Sequence, residues 1–324
     1  MDSMRCGLSA LGYYLPPQER TVDEVVRSGQ SNSSKEKLTQ LGFGSIRVAE
    51  DQSAEELAVL AVRDLHKRSG FDLDQIDVVL YAGALATSSV VVTDEQERWG
   101  AMVDPTPLFR FPGCYLQAEL GVPNASVIGL AQLACNSFQA AIRTARALIA
   151  SEPEVNHVLC VAADRFPRNA KREIVYNLMS DGACAAVVSR GETSNAILAM
   201  TQITRGAYWD GTVSHDQLIA AYFPLARRTI METVDRAGLD LASIDLLVPH
   251  NLNLKSWTIL AQVLGIPLER VFTRNIVRIG HVVASDNVIN YLDAIDEGRI
   301  RKGDKVALFV MGFGAHWSCI VVQA

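Results

Sequence analysis

Cys135 has the sequence surroundings of a nucleophile. It opens the run Cys-Asn-Ser-Phe-Gln-Ala-Ala-Ile-Arg-Thr-Ala-Arg-Ala-Leu-Ile, in which Phe138, Ala141, Ile142, Ala145 and Leu148 recur at helical spacing. The thiol is thereby predicted at or just before a helix N-terminus. Unpaired backbone N–H groups and the helix dipole would stabilise a thiolate there, the form that attacks a thioester carbonyl. Leu130-Ala131-Gln132-Leu133-Ala134 ahead of it supplies a packed strand or turn as support. The competing reading is a buried cysteine filling a gap between helix and sheet.

Two histidines can complete the chemistry. His250 follows the apolar run Leu246 to Pro249, at the carboxyl end of an expected strand, where α/β enzymes open their crevice. His281 lies in Gly280-His281-Val282-Val283-Ala284-Ser285, just ahead of a helix expected over Ala284 to Ile295. It takes roughly the place in the second half of the chain that Cys135 takes in the first. Thiolate attack, imidazole hydrogen bonding or proton transfer, and stabilisation of charge on an oxygen together describe acyl transfer. Ordinary turn histidines are the alternative. His215, His250, His281 and His316 do not combine with the cysteines into a closed zinc cluster, so no metal is expected. The Gly-Phe-Gly triplets at 42–44 and 312–314 lack the strand, helix and acidic context of a dinucleotide site.

The elements that must position these groups come twice. Gly70-Phe71-Asp72-Leu73-Asp74-Gln75-Ile76-Asp77 precedes the apolar run Val78 to Tyr81, and 168 positions later Gly238-Leu239-Asp240-Leu241-Ala242-Ser243-Ile244-Asp245 precedes Leu246 to Val248. Each unit follows an amphipathic helical stretch, Ala54 to Lys67 and roughly Leu218 to Ala237. Leu120-Gly121-Val122-Pro123 and Leu264-Gly265-Ile266-Pro267 each precede a short strand and a long apolar helix, and further strands follow at Val155 to Ala163 and Lys305 to Met311. Repeated strand–helix crossovers imply an α/β fold with sheets covered on both sides by helices. The turn-rich stretch Gly191 to Asn195 divides the chain into residues 1–190, carrying Cys135, and 191–324, carrying both histidines. A polar segment from Thr21 to Ser45, most mobile over Ser28 to Lys35, is expected as a flap or surface insertion. Leu85 to Pro112 is expected to form loops over a cleft or a subunit interface, with Trp99, Phe109 and Phe111 packed.

With 324 residues and 49% hydrophobic content the chain can fill large cores, and its net charge of −6 gives no broad attraction to nucleic acid or to an anionic membrane. The six cysteines are scattered without a CxxC pair and read as free thiols, and neither a signal peptide nor a membrane span is expected. A cytoplasmic enzyme is the expectation.

The ordered motifs Gly12-Tyr13-Tyr14-Leu15-Pro16, Leu133-Ala134-Cys135-Asn136-Ser137-Phe138, Asp181-Gly182-Ala183-Cys184-Ala185, Pro249-His250-Asn251-Leu252-Asn253 and Gly312-Phe313-Gly314-Ala315-His316-Trp317 resemble the thiolase superfamily. Within it they resemble the ketoacyl synthase III group and related acyltransferases. The resemblance implies a duplicated five-layer α/β/α/β/α fold, a homodimer, Cys135 as nucleophile and His250 as the active-site histidine. It further implies Asn253 and Asp181 in supporting roles, and Gly314 (or Gly312) joining the Cys135 N–H in an oxyanion hole. The family's catalytic asparagine is replaced by His281. This fits decarboxylative Claisen condensation with a malonyl-type thioester, as in elongating synthases with two histidines, or acyl transfer to a hydroxyl or amine; a non-catalytic partner subunit is a further alternative. The resemblance implies no tightly bound cofactor, the substrate being an acyl-CoA or an acyl carrier protein. The family's nucleotide-recognising tryptophan and arginine have no counterpart near Gln40 and Leu41, which favours a carrier protein or an unusual donor. Lys171, Arg172, Lys255 and, preferred, Arg227 and Arg228 are the expected basic contacts.

Overall fold

The computed structural model describes residues 5–85, 106–192, 194–210 and 215–324. The duplication is visible down to its turns. Gly70 and Gly238 both end their helices in the left-handed conformation, at φ +68° and +70°, a backbone state that glycine adopts without steric cost. Each is followed by a 3-10 turn, Leu73–Gln75 or Leu241–Ser243, and by a strand, Val78–Ala82 or Leu246–Val248.

Nine strands are hydrogen-bonded in the order Leu246–Val248, Lys305–Gly312, His316–Gln323, Ala196–Thr204, Cys6–Tyr14, Gly182–Arg190, His157–Asp164, Val78–Ala82, Ser126–Leu130. The two halves meet through the pair Gly7 and Ala196. In each half the crossover strands pair in parallel while the hairpin strands pair antiparallel. The outermost strand of the first half, Ser126–Leu130, has a counterpart in the second reduced to one parallel bridge, Leu247 with Val271.

Alternation along the strands builds the layers. Val306 and Leu308 face a central core with Val158 and Cys160 of the other half, while Ala307 and Phe309 face an outer core. The helices Ser137–Ser151 and Asp286–Asp296 fill that central core between the halves through Phe138, Ile142, Ile149, Val288, Tyr291 and Leu292. Helix Ala54–Ser69 covers the first half from outside, and helices His215–Arg236 and Leu254–Leu264 cover the second. The result is the expected five-layer thiolase fold.

One expectation is corrected. The segment Thr21 to Ser45 is folded: Thr21 caps helix Val22–Arg27, Ser34 caps helix Lys35–Gln40, and the carboxylate of Glu173 accepts the Asn32 and Ser33 N–H groups at 2.7 Å each. Its polar side chains serve as caps and anchors, which composition alone reads as mobility. Phe109 and Phe111 are 68% and 60% exposed on the single chain, their rings edge to face on one another ahead of the helix Pro112–Leu120. Trp99 lies outside the described residues.

Candidate active site

Cys135 sits in a 3-10 turn, Ala134–Asn136, that runs directly into the helix Ser137–Ser151. Gln132 and Ala134 take left-handed backbone at φ +67° and +46°, a conformation costly for residues with a Cβ and found where a turn must aim a functional group. The second half repeats the device, with Val283 at φ +48°, the 3-10 turn Val283–Ser285 and the helix Asp286–Asp296. The shift is 149 residues, so the duplicate of Cys135 is Ala284. His281 is therefore the counterpart of Gln132, three residues earlier than the rough equivalence read from sequence.

That offset brings His281 to the thiol: its Nε2 lies 3.2 Å from the Cys135 sulfur. Its Nδ1 donates to Asp286 Oδ2, and Asp286 also accepts the Asn251 N–H at 2.6 Å and the Val282 N–H at 2.7 Å. Surrounded by donors, the carboxylate fixes the imidazole with its Nδ1 proton toward Asp286 and Nε2 toward sulfur. Burial alone would lower the His281 pKa, but the charges and hydrogen bonds of Asp286 and Cys135 hold it well above the usual histidine range.

His250 is fully buried, its ring 5.8 Å from that of His281 and packed edge to face on Trp257 and Phe309. Neither ring nitrogen has a hydrogen-bond partner among the described residues. Burial first, and the neighbouring His281 second, push its pKa well below the usual range, so the ring is neutral at neutral pH. The backbone around it is pinned: Asn290 donates to Pro249 O and to Asn251 Oδ1 at 2.8 Å each, and Trp257 Nε1 donates to His250 O.

A cavity of about 440 Å³ opens from this pair. Cys135 and His281 line it, with walls that include Met179, Leu218, Tyr222, Phe223, Ile259 and Phe313. Lys37 and Lys255 also line it, Lys37 lying over the ring of Tyr176. Asn253 lines the cavity too, and its side chain caps helix Leu254–Leu264 by accepting the Ser256 N–H at 3.0 Å. Gly312 packs against the Cys135 turn; a Cβ there would meet Leu133 O at 2.6 Å and the Cys135 nitrogen at 3.0 Å.

Other predicted residues lie elsewhere. Asp181 is fully buried in a two-bond pair with Arg172 and accepts the Ala49 and Phe166 N–H groups. Arg172, expected as a substrate contact, is thus locked in the core, where an unpaired guanidinium would be far costlier. Lys171 donates to Gly29 O and Ser31 O. Arg227 and Arg228 are exposed on helix His215–Arg236 and are not among the residues lining the cavity. Sequence reading missed Asp286 and Lys37. Among the described residues no group of acids, histidines and cysteines could hold a metal, and no helix is long and apolar enough to cross a membrane.

Two family models match. "3-Oxoacyl-[acyl-carrier-protein] synthase III" covers residues 131–206, and its C-terminal model covers 234–324. A beta-ketoacyl-[acyl-carrier-protein] synthase III from Aquifex aeolicus is 26% identical over 335 residues, spanning 96% of this chain and 97% of that one. The crystal structure of a beta-ketoacyl-[acyl carrier protein] synthase III from Thermus thermophilus has a TM-score of 0.82 at 25% identity, covering 98% of this chain and 99% of its own. A structure named ChlB3, described as an acyltransferase, has a TM-score of 0.83 at 21% identity, covering 99% of this chain and 98% of its own.

Proposed function

We propose, for a chain that belongs to the ketoacyl synthase III-like group of the thiolase superfamily, that Cys135 takes an acyl group from a thioester donor and passes it to a hydroxyl or amine acceptor. The observation that carries this is the Asp286 carboxylate on the far nitrogen of the histidine facing the thiol. Decarboxylative condensation releases carbon dioxide to make its own carbanion and needs hydrogen-bond donors, whereas an acceptor O–H or N–H must lose a proton as it attacks.

In the first half-reaction the sulfur attacks the donor carbonyl, the new carbon–sulfur bond forms, and the donor thiol leaves with the proton from His281 Nε2. Acylation removes the sulfur charge, one of the influences that hold His281 protonated. The imidazole is thereby turned towards a neutral base at the step that needs one. It then takes the acceptor proton while the carbon–sulfur bond breaks and the sulfur is restored. The oxyanion is assigned to the Cys135 N–H and the Gly314 N–H, with Gly312 as the alternative. Lys255 and Lys37 suit the phosphate of a pantetheine arm, on acyl-CoA or an acyl carrier protein, more directly than Arg227 and Arg228. No tightly bound cofactor enters this scheme.

Condensation is the second reading, favoured by the unpaired nitrogens of His250 beside His281, a second imidazole able to face an enolate. A homodimer suits the outermost place of strand Ser126–Leu130 among the described residues and the exposure of Phe109 and Phe111; light scattering on the purified chain tests it. The deciding experiment loads the enzyme with acyl-CoA, verifies a hydroxylamine-sensitive adduct absent from C135A by intact-protein mass spectrometry, and then offers malonyl-CoA or a panel of alcohols and amines. Acyl transfer with the malonyl carboxylate left intact is expected. Carbon dioxide release with a 3-oxoacyl product and no ester or amide would sink the proposal.

A further inference from the structure

His316 has no part in this scheme. It starts the strand His316–Gln323, immediately after the glycine turn, and is nearly buried. Three separate pieces of the fold meet on its ring. Its Nδ1 lies 3.0 Å from the Thr204 hydroxyl, at the end of strand Ala196–Thr204. The Gln132 backbone, left-handed and three positions before Cys135, lies against the ring closely enough to act on its pKa. Its Nε2 occupies the space beside Gly314, where a Cβ would come within 2.4 Å. Burial lowers its pKa, so the ring is neutral, and its Nδ1 can take the Thr204 hydroxyl proton.

The surroundings make this a junction. Ala315 and Arg205 exchange two backbone hydrogen bonds, at 3.1 and 2.9 Å, which fasten the glycine turn to the Thr204 side. Gly312 touches the Cys135 turn directly. His316 closes the triangle: its ring is bonded to Thr204, lies against the Gln132 side of the Cys135 turn and fills the space beside Gly314.

We infer that His316 is a positioning residue that sets the spacing between the Cys135 N–H and the Gly314 N–H, and so governs oxyanion stabilisation without touching substrate. This rests on the proposed acyl-enzyme chemistry and adds to it a division of labour: the Asp286–His281 pair prepares the sulfur, and the His316 junction prepares the oxygen's site. Oxyanion donors act only when held at the place where charge develops, and displacement of about 1 Å costs roughly a hundredfold.

The test compares two reactions of the same thiol. Alkylation by iodoacetamide needs the prepared sulfur and no oxyanion donors; acylation by an acyl-CoA needs both. H316A is expected to lower kcat of acylation by about ten- to a hundredfold with KM unchanged, while the alkylation rate stays within about twofold. H316Q, which keeps one donor and one acceptor, should recover most of the loss, and T204V should fall between. Wild-type acylation in H316A would overturn the inference. So would an equal fall of acylation and alkylation, which would mean that the whole site, or the fold, had been disturbed. Failure of the wild-type enzyme to form any adduct would instead overturn the acyl-enzyme reading on which the inference rests.

Discussion

Replacing Asp286 by asparagine removes one charge and almost no volume, and its consequences can be followed atom by atom. Oδ1 accepts the Val282 N–H; Oδ2 accepts the Asn251 N–H and the His281 Nδ1 proton. An asparagine has one oxygen for these three donors. In one orientation its NH₂ faces Val282 N–H; in the other it faces Asn251 N–H and forces the His281 proton onto Nε2, toward the sulfur. Either way a buried backbone donor loses its acceptor, costing about 1–3 kcal/mol of stability. The chemistry loses more. At a contact of about 4 Å and an effective dielectric constant near 20, the carboxylate–imidazolium attraction is about 4 kcal/mol, which corresponds to roughly a thousandfold in rate. Inverting the histidine tautomer in a serine-protease triad has an effect of similar order. D286N should therefore form the acyl-enzyme and pass it on about a thousandfold more slowly, with KM little changed. Rapid quenching with intact-mass detection measures the first step, and product formation from preloaded enzyme measures the second. A folded D286N within tenfold of wild type in both steps would refute the proton-transfer role of this pair.

Other expectations follow from the same geometry. Burial raises the Asp164 pKa from 3.8 to about 6, against the N–H groups of Ala84 and Leu85 that favour its charge. The folded state thus holds this proton more tightly than the unfolded one, a stabilisation present below about pH 4 and lost as pH rises through 6, worth about 3 kcal/mol. D164N should gain that amount on wild type between pH 4 and pH 7 in urea unfolding; parallel pH curves would exclude it. R172M strands the buried Asp181 and should cost about 3–5 kcal/mol by the same method, and a loss below about 1 kcal/mol would show that the pair holds little together. I259W, narrowing the cavity beside Tyr222 and Phe223, should raise KM for long acyl donors at least tenfold while sparing acetyl-CoA; an equal effect on both would place the acyl chain elsewhere.

The main architecture was legible because duplication writes it twice, in turns as well as strands. Gly70 and Gly238 mark helix ends that only a left-handed residue can make, and the following acid-rich turns and apolar runs recur in step. Cys135 and His281 were legible as partners for the same reason, although 146 residues separate them. Asp286 was not, because an acid in the first turn of a helix is ordinary chemistry for a helix start; only the fold shows that it faces a ring as well. The anchoring of residues 28–35 was hidden because its acceptor, Glu173, lies about 140 residues away.

The central layer has a consequence for how the chain acquires its shape. Its two helices come from opposite halves, and the strand residues Ile320 and Val322 that share their core stand far downstream of the first of them. During synthesis, helix Ser137–Ser151 emerges with Phe138 and Ile142 lacking the second-half side of their packing until strand His316–Gln323 arrives. Contacts at such long range make loop closure slow and leave apolar surface open to other chains meanwhile. The Cys135 sulfur shares that history, for His281 joins it only when the halves dock. On the proposed chemistry, thiol reactivity becomes a timer for long-range assembly, and a nascent chain released before residue 281 carries Cys135 without its imidazole.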